Sequence, residues 1–358
     1  MEKSMTNERS NLGRRDFFKL TGGAVGIAAL SYYLGLTDRF KPAASTHELP
    51  DYADGDLAFP IFRAPYLQKD AKLAAFMFKA DIASLTALCD QTLNSVDTSP
   101  YKYVPLTSTI LLVYADMLVS SLDERDSQVG FIPETEIGFW VLTVAMKKTA
   151  AGHVPDHLAW FLPYLLVDES NSIATGREVY GFNKLAAEFQ KPQDITSPQF
   201  SADVLGFEKF DPASVAGKKR LLELNSISTD STQNKWSDWN SAKDEFTNAL
   251  LGYIRPDLTN GIVEFAARSM TDHIPLVFLK QFRHASNSRK ACYKAIVEAS
   301  LKVKEFYSGG TFSQQNKLTL YHLESHPFAG KLGLKAEQTP VLSAWMNLDF
   351  ILDHGVEL

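Results

Sequence analysis

The sequence predicts an α+β fold dominated by sheet, with helices at its periphery. Three observations carry this expectation. Residues 110–117, 138–145 and 158–167 are apolar runs of the length and composition of well-buried strands. The stretches between them are polar or rich in turn residues. Only two stretches, one after Asp81 and one after Ser237, show the three- and four-residue apolar spacing of an amphipathic helix.

Size and composition fit such a domain. The chain has 358 residues, 45% hydrophobic and 22% charged, enough to bury a core without staples. A formal net charge of -6 argues against a nucleic-acid partner, because phosphate binding needs a concentrated basic surface. Cys89 and Cys292 are too few for a disulfide framework; they read as two buried thiols or, alternatively, as one disulfide. There are no internal repeats or low-complexity tracts.

Taken in order, the chain begins with Gly13-Arg14-Arg15-Asp16-Phe17-Phe18-Lys19, followed by an apolar, glycine-containing run over residues 20–36. This resembles a twin-arginine (Tat) export signal, whose usual form is Ser or Thr, two arginines, any residue, Phe, Leu and Lys. Gly13 and Phe18 are substitutions within it. The resemblance implies recognition by the Tat export machinery and a place in the periplasm or cell envelope. A short membrane anchor or a basic N-terminal helix are the alternatives, although the glycine-interrupted run makes a weak span. Residues 1–44 are assigned to this signal or anchor, 45–65 to a linker and 66–358 to the folded domain.

Within the domain, residues 73–78 are the first expected strand. Asp81 then caps a helix with Ile82, Leu85, Leu88 and Cys89 on one face. Residues 94–105 read as a turn-rich loop. The strands at 110–117 and 138–145 flank a polar loop at 120–128, and Glu134 and Glu136 stand near the start of the second. The strand at 158–167 follows His153 and His157. Two histidines four apart would meet on a helix face and suggest a metal, but Pro155 between them opposes a helix. His322 and His326 repeat the spacing beside Pro327. Solvated loops without metal are expected at both places. No Gly-x-Ser-x-Gly, P-loop or Gly-x-Gly-x-x-Gly pattern occurs, so hydrolase, nucleotide and dinucleotide functions have no positive signal.

The stretch 173–186, Ile-Ala-Thr-Gly-Arg-Glu-Val-Tyr-Gly-Phe-Asn-Lys-Leu-Ala, is rich in β-branched and aromatic residues and reads as a strand. Extended, it places Glu178, Tyr180, Phe182 and Lys184 on one face. Lys184 then sits in mostly apolar company, where an ammonium loses hydration and the neutral, nucleophilic amine gains ground. The bland alternative is a structural lysine whose amine reaches a carboxylate such as Glu178.

This stretch is similar to the acetoacetate decarboxylase family. Its members carry Gly-Arg-Glu, a few mixed residues, an aromatic, usually proline, and then the Schiff-base lysine, normally followed by a second lysine. The counterparts are Gly176-Arg177-Glu178, Phe182, Asn183 and Lys184, with Asn183 in place of proline and Leu185 in place of the second lysine. The resemblance implies a mainly antiparallel β-sheet or barrel, no cofactor, a small keto acid as partner and a homo-oligomer. It implies Lys184 as the imine-forming amine and Glu134 as the acid/base or carboxylate-handling group, with Glu136 in that role or Glu134 as a plain surface carboxylate as the alternatives. Tyr180, Phe182, Leu185, Tyr114 and Asp116 are the expected substrate-pocket residues. The family's second glutamate belongs on the strand at 110–117, which offers only Tyr114 and Asp116. Its arginine falls near Ala71, with Arg63, Lys69 and Lys72 close by in sequence.

Residues 203–272 read as a helical insertion. It contains a helix from Ser237 with Trp239, Ala242, Phe246, Ala249, Leu250 and Tyr253 on one face, ending at Arg255-Pro256. Strands are expected at 274–282 and 291–306, the second of which could also be written as a helix, followed by a glycine turn at 308–311, a Leu/His/Pro segment at 318–327, and closing segments at 339–346 and 350–354. The expected function is a Schiff-base enzyme that decarboxylates a β-keto acid or performs related aldol or dehydration chemistry. The alternative is a non-catalytic ligand-binding or accessory protein of the same fold in the cell envelope.

Overall fold

The first strand, β1 (Tyr66–Lys79), runs straight into the Asp81-capped helix α1 (Ile82–Gln91), and both arise where the local sequence calls for them. The Asp81 carboxylate accepts from the Ser84 amide at 2.9 Å, satisfying an orphan donor of the first turn. In the computed structural model, residues 49–53, 62–227, 234–269, 274–312 and 315–358 are described. The chain divides into two units, Met1–Tyr52 and Ala53–Leu358. Of the first unit only residues 49–52 are described. The expected export signal with Arg14 and Arg15 lies outside the described residues. Among those described, no helix is long and apolar enough to cross a membrane.

The remaining strands of the main sheet are β2 (Tyr101–Pro105), β3 (Thr109–Ser121), β4 (Ile132–Thr149), β5 (Gly152–Val167), β6 (Lys184–Ala186), β10 (Asn234–Lys235), β11 (Leu276–Arg283), β12 (Ala291–Thr311) and β15 (Leu342–Glu357). Hydrogen bonding runs β4-β3-β1-β15-β12-β11-β5 and returns from β5 to β4, so these strands close into a barrel. All pairings around the ring are antiparallel except the short parallel contact of β5 with β11, where Trp160 faces Leu276. Closure removes the exposed edges that so long a sheet would otherwise present. A second sheet, β14 (Glu337–Gln338), β13 (Asn316–Leu320), β9 (Gly217–Ser226), β8 (Phe200–Gly206) and β7 (Glu188–Gln190), is antiparallel throughout.

Alternation along the strands sorts the side chains into two sets. On β1 and β3, Phe76, Phe78, Leu112 and Tyr114 point outward and pack with Phe200, Leu222 and Leu318 of the second sheet in the largest core. On the same strands Ala75, Leu111, Val113 and Ala115 point into the barrel. A bulge between Gln68 and Ala71 resets the alternation of β1. Tyr66 and Gln68 therefore face inward before the bulge, and Leu73 and Ala75 after it.

Several expectations change in the structure. Residues 94–105, read as a loop, end in strand β2. The glycine turn expected at 308–311 is the continuing end of β12, where Gly309 and Gly310 pair with Met346 and Trp345. A Cβ on Gly310 would lie 2.2 Å from the Asn234 carbonyl oxygen, so these glycines admit β10 and the Trp236 ring rather than a reversal. The span 203–272 is helical only in its second half, α3 (Trp239–Leu251) and α4 (Asn260–Ser269); its first half supplies strands β8 and β9. Cys89 is buried and Cys292 exposed, and both are free thiols.

The histidines also depart from the solvated-loop reading. His157 lies on β5 between Asp156, 2.9 Å away, and the buried Glu298 at 2.9 Å. Burial alone would lower its pKa, but the carboxylates of Glu298 and Asp156 outweigh this and push it up to about 9. Tyr103 completes the cluster with a 2.7 Å hydrogen bond to Glu298. His326 is half-buried against Ser325 and Phe328. His153 is exposed on the same strand as His157, and His322 is exposed in a loop.

Candidate active site

Lys184 opens β6, a three-residue strand that lies parallel to β5 with Lys184 beside Leu165. Asn183 fixes that placement. It donates Nδ2 to the Pro163 carbonyl at 2.9 Å, while its own carbonyl accepts from the Leu165 amide at 3.2 Å.

The segment before Lys184 is not the expected strand. Residues Ser170–Val179 form helix α2, started by Glu169, whose carboxylate accepts from the Ser172 amide at 2.6 Å. This local cap and the helical spacing of Ile173, Gly176 and Tyr180 outweigh the β propensity of the individual residues. The Gly176 carbonyl collects the amides of Tyr180, Gly181 and Phe182, ending the helix. Gly181, at φ 88°, then reverses the chain against the Lys280 backbone, where a Cβ would approach within 2.4 Å of its Cα. Glu178, expected on the face of Lys184, stays on the helix outside the cavity lining, whereas Tyr180, Phe182 and Lys184 all reach it.

The cavity is the barrel interior, about 300 Å³. Lys184 is 8% exposed and its Nζ donates to Glu134 Oε1 at 3.0 Å and to Ser172 Oγ at 2.5 Å. The Phe182 ring centre lies 5.4 Å from the same amine. Glu134 is 2% exposed, on β4. Two residues along the same strand, and so on the same face, Glu136 also lines the cavity. Glu136 is pushed up from the ordinary carboxylate range to about 8, first by burial, then by the negative charge of Glu134 and a hydrogen bond to it; Lys184 opposes this. Two carboxyls side by side cannot both ionise cheaply, so the pair holds a proton near neutral pH next to a buried amine.

Gly176 makes room for this arrangement. Helix α2 crosses the lysine stem so closely that a Cβ at 176 would lie 2.8 Å from Lys184 Cε and 3.4 Å from Nζ. Gly176→Ala should therefore push the amine off Glu134 and slow any reaction at it by up to about a hundredfold, the cost of a misplacement near 1 Å. Thermal stability should fall by less than in a variant that removes the amine, because the lysine stem can yield in part and alanine is favoured over glycine within a helix by roughly 1 kcal/mol. Melting temperature and trapping rate, measured together, check both halves.

Three expected pocket residues lie elsewhere. Asp116 pairs with Thr135 across β3 and β4, while Met117 pairs with Glu134; adjacent strand positions face opposite ways, so Asp116 points out of the barrel. It accepts from Thr135 Oγ1 at 2.9 Å and lies 3.1 Å from Lys191 Nζ. Tyr114, on the same outward face, stacks on Phe200 with ring centroids 4.9 Å apart. Leu185, one residue past Lys184, packs on the outer core for the same reason. A lysine at 185 would enter that core rather than sit beside the Lys184 amine.

The positions near the expected arginine do not supply a cation to the cavity. Arg63 is bound to Asp126, and Lys69 and Lys72 are exposed. Among the cavity-lining residues the cations are Lys184 and Lys243, the latter on α3. Neutral polar groups in the cavity lining include Gln68, Asn171, Thr175 and Ser172, the last in contact with the amine. Sequence reading passed over Ser172 and the role of Gly176, although residues 172 and 176 are one helical turn apart and so share a face. The pairing of Glu134 with Glu136 had a signal, an i, i+2 spacing at the start of a strand.

No family model matches the chain, and none of the curated proteins matches it. Solved structures do. An acetoacetate decarboxylase structure superposes with a TM-score of 0.50 at 15% identity, covering 84% of this chain and 91% of its own. The acetoacetate decarboxylase of Legionella pneumophila subsp. pneumophila str. Philadelphia 1 gives a TM-score of 0.51 at 14% identity, covering 88% and 98%. These likenesses show that the chain has the acetoacetate decarboxylase fold.

Proposed function

We propose that the protein is a Schiff-base enzyme that acts on a keto acid through Lys184. The observation that supports this best is a buried primary amine 3.0 Å from Glu134, with Glu136 two residues along the same strand, in a largely apolar cavity. In the reaction, the proton of the Lys184 ammonium passes to the carboxylate pair and the free nitrogen bonds to the ketone carbon. The carbonyl oxygen takes up protons and leaves as water, giving a protonated imine. In a β-keto acid the bond to the carboxylate then breaks, its electron pair flows into the imine, and carbon dioxide departs. The enamine is protonated on carbon, and water hydrolyses the imine to release ketone and amine. Glu134 and Glu136 are the groups within reach for the proton steps. The same electron sink serves aldol addition or dehydration, which the proposal includes beside decarboxylation. The test is reduction with borohydride in the presence of a panel of keto acids, read by intact and peptide mass.

A second reading, a ligand-binding protein without turnover, draws support from the same cavity: it is largely apolar, and its lysine is already satisfied by an ion pair and a hydroxyl. Ligand binding without any trapped imine is the outcome that selects it.

We further propose export of the folded protein through the twin-arginine machinery, supported by Arg14-Arg15, Phe17, Lys19 and the apolar run that follows, and assembly as a homo-oligomer. Replacing Arg14 and Arg15 together by lysine should hold the protein in the cytoplasm when fractions are compared by immunoblot. Equal envelope levels of both forms would remove the export proposal.

A further inference from the structure

We infer that the ketone taken by Lys184 carries an extended alkyl tail, which lies along the barrel from the Lys184 end toward α3; this rests on the Schiff-base reading above. The cavity is far longer than the reacting group needs. From Glu134 to Trp140, both facing inward on β4, the wall runs six residues, about 20 Å at the usual strand rise. Its volume of about 300 Å³ matches the lower end of pockets that hold ligands much larger than a four-carbon acid.

Polarity is divided along that length. The groups that can handle protons, Lys184, Glu134 and Glu136, share one region with Ser172. Away from it the barrel strands present Leu111 and Val113, Leu301 and Val303, and Met346 and Leu348. A further part of the wall is Trp140 and Trp160, whose rings meet edge to face at 6.0 Å, together with Phe246 and Leu250 of α3. Lys243 and Thr247 are the polar exceptions on that wall. A space walled this way gains little from holding water, since a water needs two to four polar partners. An alkyl chain attached to the ketone would leave bulk water and fill it.

The test uses the full-length protein in two forms. The Lys184→Ala variant, which cannot form an imine, is titrated with straight-chain carboxylates from butanoate to hexadecanoate, followed by calorimetry and by the fluorescence of the cavity tryptophans. Wild type is incubated with mixtures of straight-chain 3-oxo acids of different length and reduced with borohydride, and the trapped masses are compared. The expected result is a dissociation constant that falls roughly fourfold for each added methylene until the cavity is full, with the trapped adducts following the same order. Val113→Phe, which fills the apolar half, should shift the preferred length downward, and Leu111→Ala should shift it upward. Equal affinity across the series, with acetoacetate trapped as well as its longer homologues, overturns the tail and leaves the Schiff-base reading standing. Length-dependent binding with no adduct from any keto acid overturns the Schiff-base reading, and the tailed ketone as its substrate falls with it.

Discussion

Lys184→Ala and Lys184→Arg should each abolish the mass added by borohydride in the presence of a keto acid, while wild type gains one reduced adduct that maps to the peptide containing residue 184. Alanine removes the nucleophile, and arginine keeps a cation that does not give up its proton in proteins. The two variants also separate chemistry from folding. Removing the amine leaves Glu134 buried without its ion-pair partner, and breaking such a pair costs about 3–5 kcal/mol unless the carboxyl takes up a proton. The alanine variant should therefore regain stability as the solution is acidified. Should wild type give no adduct with any keto acid while both variants keep its fold, the enzyme reading fails and ligand binding takes its place.

The carboxylate pair gives the second large effect. Glu134→Gln should cut turnover by about a hundredfold or more, the usual cost of losing an acid/base group. It keeps the shape of the side chain and a hydrogen-bonding oxygen toward Lys184. Glu136→Gln should behave differently, because glutamine resembles the protonated acid that this site favours. With the folded-state pKa of Glu136 raised from 4.5 to about 8, the folded chain holds a proton over that window that the unfolded chain has released. Stability must then fall as pH rises through the window, by at most about 1.4 kcal/mol per pH unit for this one proton. Denaturant titrations across pH 4.5 to 8 should show this slope in wild type and a flatter one in Glu136→Gln. If activity depends on the protonated acid, the alkaline limb of the wild-type rate profile should lie near 8 and move or vanish in the same variant. Identical slopes and profiles would assign the proton to another group.

Much of the barrel is legible in the sequence because its strands are buried on both faces. Residues 110–117, 138–145 and 158–167 read as continuous apolar runs, and each lies within a longer strand of the ring. The helix after Asp81 and the helix after Ser237 are equally clear from their apolar spacing, and at the first the Asp81 cap agrees with it. What composition could not supply was phase. A strand with apolar residues on both faces gives no sign of which set looks into the barrel, and a single bulge, as at Asp70, exchanges the two sets. That is why Asp116 and Tyr114 were assigned to the pocket and proved to face outward, and why Leu185 was placed beside an amine it points away from.

From the sequence, Lys184 stands out by its apolar company and by the preceding Gly176-Arg177-Glu178 and aromatic, and the family resemblance points to a carboxylate at 134 or 136 as its companion. Only the tertiary structure decided how they meet. Lys184 and Glu134 are fifty positions apart, and their approach to 3.0 Å follows from the pairing of β4 with β5 and of β5 with β6, none of which is a local property of the chain. The stretch before the lysine is an equally clear case. Its β-branched and aromatic residues favour a strand, but Glu169 caps Ser172 and a glycine-permitted reversal follows at Gly181, so a helix forms and lays Ser172 and Gly176 over the lysine. The cavity beyond is a tertiary outcome too, because it exists only where seven strands return on themselves and α3 lies against their interior.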